Sequence, residues 1–252
     1  MVIKKEKPKD DEMFHCKCNP ERVVTLGRIL SAEPKKAVTN IGFGAMLDLK
    51  MDCVMSKLAR WLVDQIDDGE RVLIVGTTII ELKSYLFEHV IGIRDDNTLI
   101  KLPEKNHYNP YHDFIFNIHK KATTIDELEK VIERSKTTDK LFLMRYIFVV
   151  IAAVLCPTSG NRVKKAYQSI VYNVESIKNF NRVTHTLNFL CEQIQRLKQG
   201  EIHYIPDCSL FLQLMFMDRA LWPRGQIDRS IPPIALWDKT TMKKFALFID
   251  RK

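Results

Sequence analysis

The sequence has no apolar run long enough to cross a bilayer. The longest, Tyr146 to Cys156, covers about half of the roughly 20 residues that a membrane helix needs, and Arg145 before it and Pro157 after it mark a buried core helix. Membrane insertion is therefore not expected. An apolar stretch near the start is also missing: the opening MVIKKEKPKDDE mixes acids with lysines, unlike a secretory signal or a transit peptide. There is no internal repeat and no low-complexity tract. Glycine is scarce, 9 in 252 residues, and no glycine-rich loop ends in Lys-Ser or Lys-Thr, which removes the P-loop class. The six cysteines stand scattered at 16, 18, 53, 156, 191 and 208, a pattern unlike a disulfide framework. They suit reduced packing thiols in the nucleus or cytoplasm.

The nearest approach to a phosphate loop is Asn40-Ile-Gly-Phe-Gly-Ala-Met-Leu-Asp-Leu49. A dinucleotide fingerprint needs a third glycine where Leu47 stands, and a buried strand before Gly42 where a short helix is expected. The stretch is expected instead to be an architectural joint. Asn40 and Gly42 would end a helix, Gly44 would let two backbones approach, and Phe43 and Leu47 would pack. Metal chemistry fares no better. His15-Cys16-Lys17-Cys18 has no second ligand pair, and Cys53 and His107 are isolated. Cys156, Cys191 and Cys208 lie on apolar helical stripes, and His185 is six residues before Cys191, on another face of the same helix. No catalytic residue, cofactor or metal is expected.

What is present is apolar surface at helical spacing. With 46% hydrophobic residues the chain can bury a sizeable core, and the pattern predicts a mostly α, multi-helix domain. Residues 1–18 are expected as a flexible tail and 19–252 as the domain, in two lobes, 19–93 and 124–252, joined by an irregular segment 94–123. Short helices follow Pro20 and run from Ala37 to Ile41. A stronger helix spans Val54 to Ile66, with Leu58, Trp61, Leu62 and Ile66 on one stripe, and all three tryptophans are expected in the core. Val72–Val75 and Thr78–Ile80 predict one small β-hairpin. Leu82 to Val90 is helical and stops at Gly92. Thr124 and Glu127 have capping-box spacing, and Thr138 or Asp139 would cap a very apolar helix from Lys140 to Cys156. Val163 to Val171 marks another helix, and Val183 to Leu197 a long one closed by Gly200. Asp207 would cap Cys208 to Leu221, and the last helix starts near Thr240.

Charge and rings supply two candidate surfaces. The net charge is +8, with basic clusters that include His119-Lys120-Lys121 and Arg162-Val-Lys-Lys165. Lys120, Lys121, Arg162, Lys164 and Lys165 are thus candidates for contact with nucleic acid. The irregular segment holds Tyr108 and Tyr111 among prolines and basic residues, and rigid aromatics in such a place are candidate anchors for a protein partner.

Several stretches together resemble one family. They are Cys18-Asn-Pro-Glu-Arg22, Asn40 to Leu49, Leu58-Ala-Arg-Trp-Leu-Val-Asp64, His89-Val-Ile-Gly-Ile93, Leu155-Cys-Pro-Thr-Ser159, Cys208 to Asp218, and Ile231-Pro-Pro-Ile-Ala-Leu-Trp237. In this order they resemble the helical region found upstream of SUMO-protease-like domains in plant Mutator-like transposons, which is similar to the plant mobile domain once described as aminotransferase-like. The protease motifs are absent, and the helix beginning Phe180-Asn-Arg182 lacks the tryptophan that the family often has there. The resemblance implies a plant protein domesticated from a mobile element. It would act without catalysis as a protein–protein interaction scaffold, in regulation or in a selfish toxin–antidote pair. The alternative is a DNA- or RNA-binding module retained from the same ancestry.

Overall fold

The computed structural model describes residues 16–103, 123–157, 161–205, 208–220, 228 and 230–249. The fold is mostly α. In chain order the elements are α1 (Pro20–Ile29), α2 (Ala32–Asn40), α3 (Ser56–Asp64), β1 (Ile66–Asp67), β2 (Val72–Val75), β3 (Thr78–Glu81) and α4 (Ser84–Ile91). Then follow α5 (Ile125–Arg134), α6 (Lys140–Val150), α7 (Gln168–Val171), α8 (Arg182–Lys198), α9 (Ser209–Arg219), α10 (Pro233–Leu236) and α11 (Lys239–Ile249). Among the described residues no helix is long and apolar enough to cross a membrane.

Two helices form the centre because they are apolar on nearly every side. One is α6, whose Phe142, Met144 and Tyr146 to Val150 are all buried. The other is α9, buried from Ser209 to Met215. Around α9 lie α3, α4 and α10, while α6 packs on α5 and α1. The apolar residues of stretches 19–93 and 124–249 join in one continuous core.

Local chemistry sets most boundaries. The Thr124 hydroxyl accepts from Glu127 N–H, and the Glu127 carboxylate accepts from Thr124 N–H, a complete capping box for α5. Asp139 accepts from Phe142 N–H at 2.8 Å and starts α6. Gly92 ends α4 at φ +74°, and a Cβ there would lie 2.8 Å from that of Ala45.

Several expectations need correction. Ile66 is not helical: α3 stops at Asp64, and Ile66 pairs with Leu73 in a short third strand beside the hairpin. Asp67 Oδ1 accepts from Glu70 N–H and turns the chain there. Trp61 is not core; it lies on the flank of α3, 38% exposed, edge-on to Phe216. Trp237 is buried, and Trp222 lies outside the described residues. The Val163–Val171 helix is shorter, a tight turn at Lys165–Tyr167 followed by α7. The α6 helix ends in a wide π turn, Ile151–Leu155, instead of continuing as α-helix to Cys156. Cys208 stands before α9 in the left-handed region, φ +57°. Asp207 lies outside the described residues.

Candidate functional site

The joint after α2 is built around a residue that spacing did not single out, Arg182. Gly42 turns the chain at φ +81°, and Phe43 follows it into the core. Arg182, the first residue of α8, donates from Nη1 to the Gly42 carbonyl at 3.0 Å and from Nη2 to the Arg94 carbonyl at 3.1 Å. Its guanidinium lies 5.0 Å from the centre of the Phe43 ring. Asp95, on the same loop as Arg94, accepts from Val183 N–H at 2.6 Å, Thr184 N–H at 3.0 Å and the Thr184 hydroxyl. A carboxylate distant in sequence thereby caps α8, while Asn181 Oδ1 accepts from Ile100 N–H. Burial lowers the Arg182 pKa to about 10 against the opposing pull of Asp95 and Asp96, so the side chain stays charged at neutral pH. Gly44 opens a tight turn, Gly44–Leu47, and a Cβ there would meet the Thr39 side chain rather than backbone.

Beside this joint is a cavity of about 30 Å³, room for about two waters. Phe43, Arg182, His185 and Thr186 line it together with Cys156 and Tyr167. The Tyr167 hydroxyl and His185 Nε2 are 2.9 Å apart. Burial, and then the positive charge of Lys164, pushes the His185 pKa down, which keeps the imidazole neutral at neutral pH. The Cys156 thiol donates toward the Thr186 hydroxyl, which itself donates to the Arg182 carbonyl. Cys156 and His185 therefore share one cavity, although nothing in their spacing announces it. Cys191 and Cys208 are buried elsewhere, and burial pushes the Cys191 thiol up, away from thiolate chemistry.

The hairpin has two unlike faces. Leu73 and Ile80 pair across the strands, and Leu73 is fully buried. The next pair, Ile74 and Ile79, points outward, 40% and 65% exposed. The strand order β1-β2-β3 leaves β3 with one side lacking a strand neighbour among the described residues. Tyr85 follows at the start of α4, also exposed.

Of the residues expected at partner surfaces, Tyr108, Tyr111, Lys120 and Lys121 lie outside the described residues. Arg162, Lys164 and Lys165 are exposed on one short stretch, with Arg162 bridged to Thr124. Lys164 Nζ lies 5.8 Å from the Tyr167 ring centre and 5.9 Å from that of Phe189. Cys16 Sγ is 3.3 Å from the Ser209 hydroxyl, and Cys18 is buried against the Val154 carbonyl. Among the described residues no three His, Cys, Asp or Glu side chains are grouped to hold a metal.

The family model for a domain of unknown function (DUF8566) matches residues 16–213, and the chain belongs to that family. The match spans the joint, the cavity, the hairpin and most of the core. No curated protein and no solved structure matches the chain.

Proposed function

We propose that this protein is a non-enzymatic interaction scaffold, domesticated from a plant mobile element, that docks a protein partner on the β2–β3 hairpin. The observation that carries the reading is the outward Ile74–Ile79 pair beside an open strand edge. Paired isoleucines facing water add nothing to the core, and an exposed apolar patch on a sheet edge is a recurring docking feature. The partner that fits is an extended segment with alternating apolar residues. It would add a strand along Thr78–Glu81 and lay its side chains on Ile79 and Ile74. Tyr108 and Tyr111 are further anchors under the same reading. Regulation, or one half of a toxin–antidote pair, are the settings that such a partner would define.

A second reading rests on the exposed Arg162, Lys164 and Lys165 and the net charge of +8: contact with DNA or RNA. One experiment separates the two. Tagged wild type, an Ile74→Thr/Ile79→Thr variant and an Arg162→Gln/Lys164→Gln/Lys165→Gln variant are used as baits with and without nuclease. The scaffold reading expects proteins that survive nuclease, persist with the charge variant and drop at least about tenfold with the isoleucine variant. Capture that disappears with nuclease and with the charge variant alone would replace it with the nucleic-acid reading.

A further inference from the structure

We infer that the open edge of β3 pairs with the same edge of a second copy, as an antiparallel, two-fold symmetric dimer that occupies the docking edge when no partner segment does. The pairing needs only this chain; its role as a competitor rests on the docking reading proposed above. Two backbone bonds show which groups face outward. Leu82 N–H donates to the Arg71 carbonyl at 2.9 Å, and Ile74 N–H donates to the Gln65 carbonyl at 3.0 Å. Residues 78, 80 and 82 therefore turn their backbone groups toward β2, and Ile79 and Glu81 turn theirs away from it. Thr77, Thr78, Ile79 and Glu81 are all exposed. Residues 77–80 include no charge and no proline, the usual guards of an edge strand.

A symmetric contact requires a surface that complements itself, and this edge does so in one register. A dyad through Ile79 sets the Ile79 residues of the two copies opposite each other. Each Ile79 N–H then donates to the other's carbonyl, and each Glu81 N–H donates to the Thr77 carbonyl of the second copy. The Glu81 carbonyl already accepts from Lys83 N–H at 3.0 Å, so the ladder ends there. Ile74 lies opposite Ile79 on the outer face, and the seam gains a row of four isoleucines, two from each copy. Charge selects the same register. Glu81 and Lys83 form an ion pair at 2.5 Å at one end of the strand, and it meets the uncharged Gly76-Thr77 turn of the second copy. A slip of two residues would set Glu81 against Ile79, and a slip of four would set Glu81 against Glu81. Strands this short bury less than the roughly 800 Å² per copy of a stable complex. The dimer is therefore transient, with a dissociation constant on the order of 0.1 mM, weak enough for a partner segment to displace.

The test sediments the whole purified protein at concentrations from about 10 μM to about 1 mM, at constant ionic strength, around the dissociation constant expected above. A reversible shift from monomer to dimer is expected. In NMR spectra over the same range, the amide protons of Ile79 and Glu81 should shift and gain exchange protection, while that of Ile80, which faces β2, stays unchanged. Ile79→Lys opposes two ammonium groups at the dyad and should weaken association by at least about tenfold. Ile29→Lys, at another exposed isoleucine, should associate as wild type does. A monomer at every concentration, a dimer whose amide changes fall away from β3, or association unaltered by Ile79→Lys would each overturn the inference. None of these readouts involves a partner, so a monomeric result strikes the self-pair alone, and the docking reading is judged by the bait experiment.

Discussion

The Arg182 joint and the β2–β3 hairpin use their side chains in opposite ways. At the joint one buried guanidinium and one half-buried carboxylate tie α2, the loop after α4 and the start of α8 together. At the hairpin one face packs on the core and the other leaves two isoleucines in solvent. Contacts at the joint cross long stretches of sequence, and substitutions there act on the fold. The outer face of the hairpin makes no comparable contact, so substitutions there are expected to leave the fold intact and, on the proposed function, to act on association. The proposed function thus separates stability from recognition, and five variants probe the separation.

The largest effect is expected from Arg182→Met. It strips the Gly42 and Arg94 carbonyls of their donors and should lower stability by about 2–4 kcal/mol in urea unfolding. A loss under about 0.5 kcal/mol would mean that the joint is incidental to the fold. Next comes Gly42→Ala, whose Cβ would sit 3.0 Å from an Arg182 Nη in a backbone at φ +81°. About 1–2 kcal/mol of destabilisation is expected. Gly44→Ala, without the positive φ, should cost less in the same assay.

A smaller effect concerns pH. Burial holds the folded His185 pKa below 6.5, so as pH falls through 6.5 the unfolded chain takes up a proton that the folded chain refuses. The contribution is present in full above that value and is lost as pH falls through the folded pKa. Urea midpoints of wild type should therefore fall more steeply with acid than those of His185→Gln. Parallel curves would remove the imidazole from the stability balance. The smallest change in stability is expected for Ile74→Thr/Ile79→Thr, within about 0.5 kcal/mol of wild type, with partner capture reduced as described above. Marked destabilisation of this variant would erase the contrast between the two regions.

What was legible in the sequence is what neighbouring residues decide. The Thr124–Glu127 capping box, the Asp139 cap, the Gly92 and Gly200 ends and the Val72–Val75 and Thr78–Ile80 hairpin all follow from chemistry within a few residues. β1 was hidden because a two-residue strand carries no alternation, and Ile66 falls four residues after Leu62, as a helical stripe would. Trp61 sits at the margin of that stripe, where spacing does not decide between core and rim. The candidate cavity was illegible for a different reason. Arg182 reaches Gly42 across 140 positions, and Cys156 meets Thr186 across 30, so no local pattern records either contact. The glycine loop drew notice for the phosphate it lacks the residues to bind, and its partner proved to be an arginine of its own chain.

The π turn at the end of α6 bears on how the protein is made. Its Ala153 carbonyl accepts from Asn19 N–H at 2.8 Å, and the Cys18 thiol donates toward the Val154 carbonyl. The residues that lead into α1 are therefore fastened to a segment synthesised much later. At ribosomal rates the wait is roughly 7–27 s, during which α1 lacks its contact with the π turn. Until then α1 has the Gly44–Leu47 turn to pack against, and only its side toward the π turn waits for later synthesis.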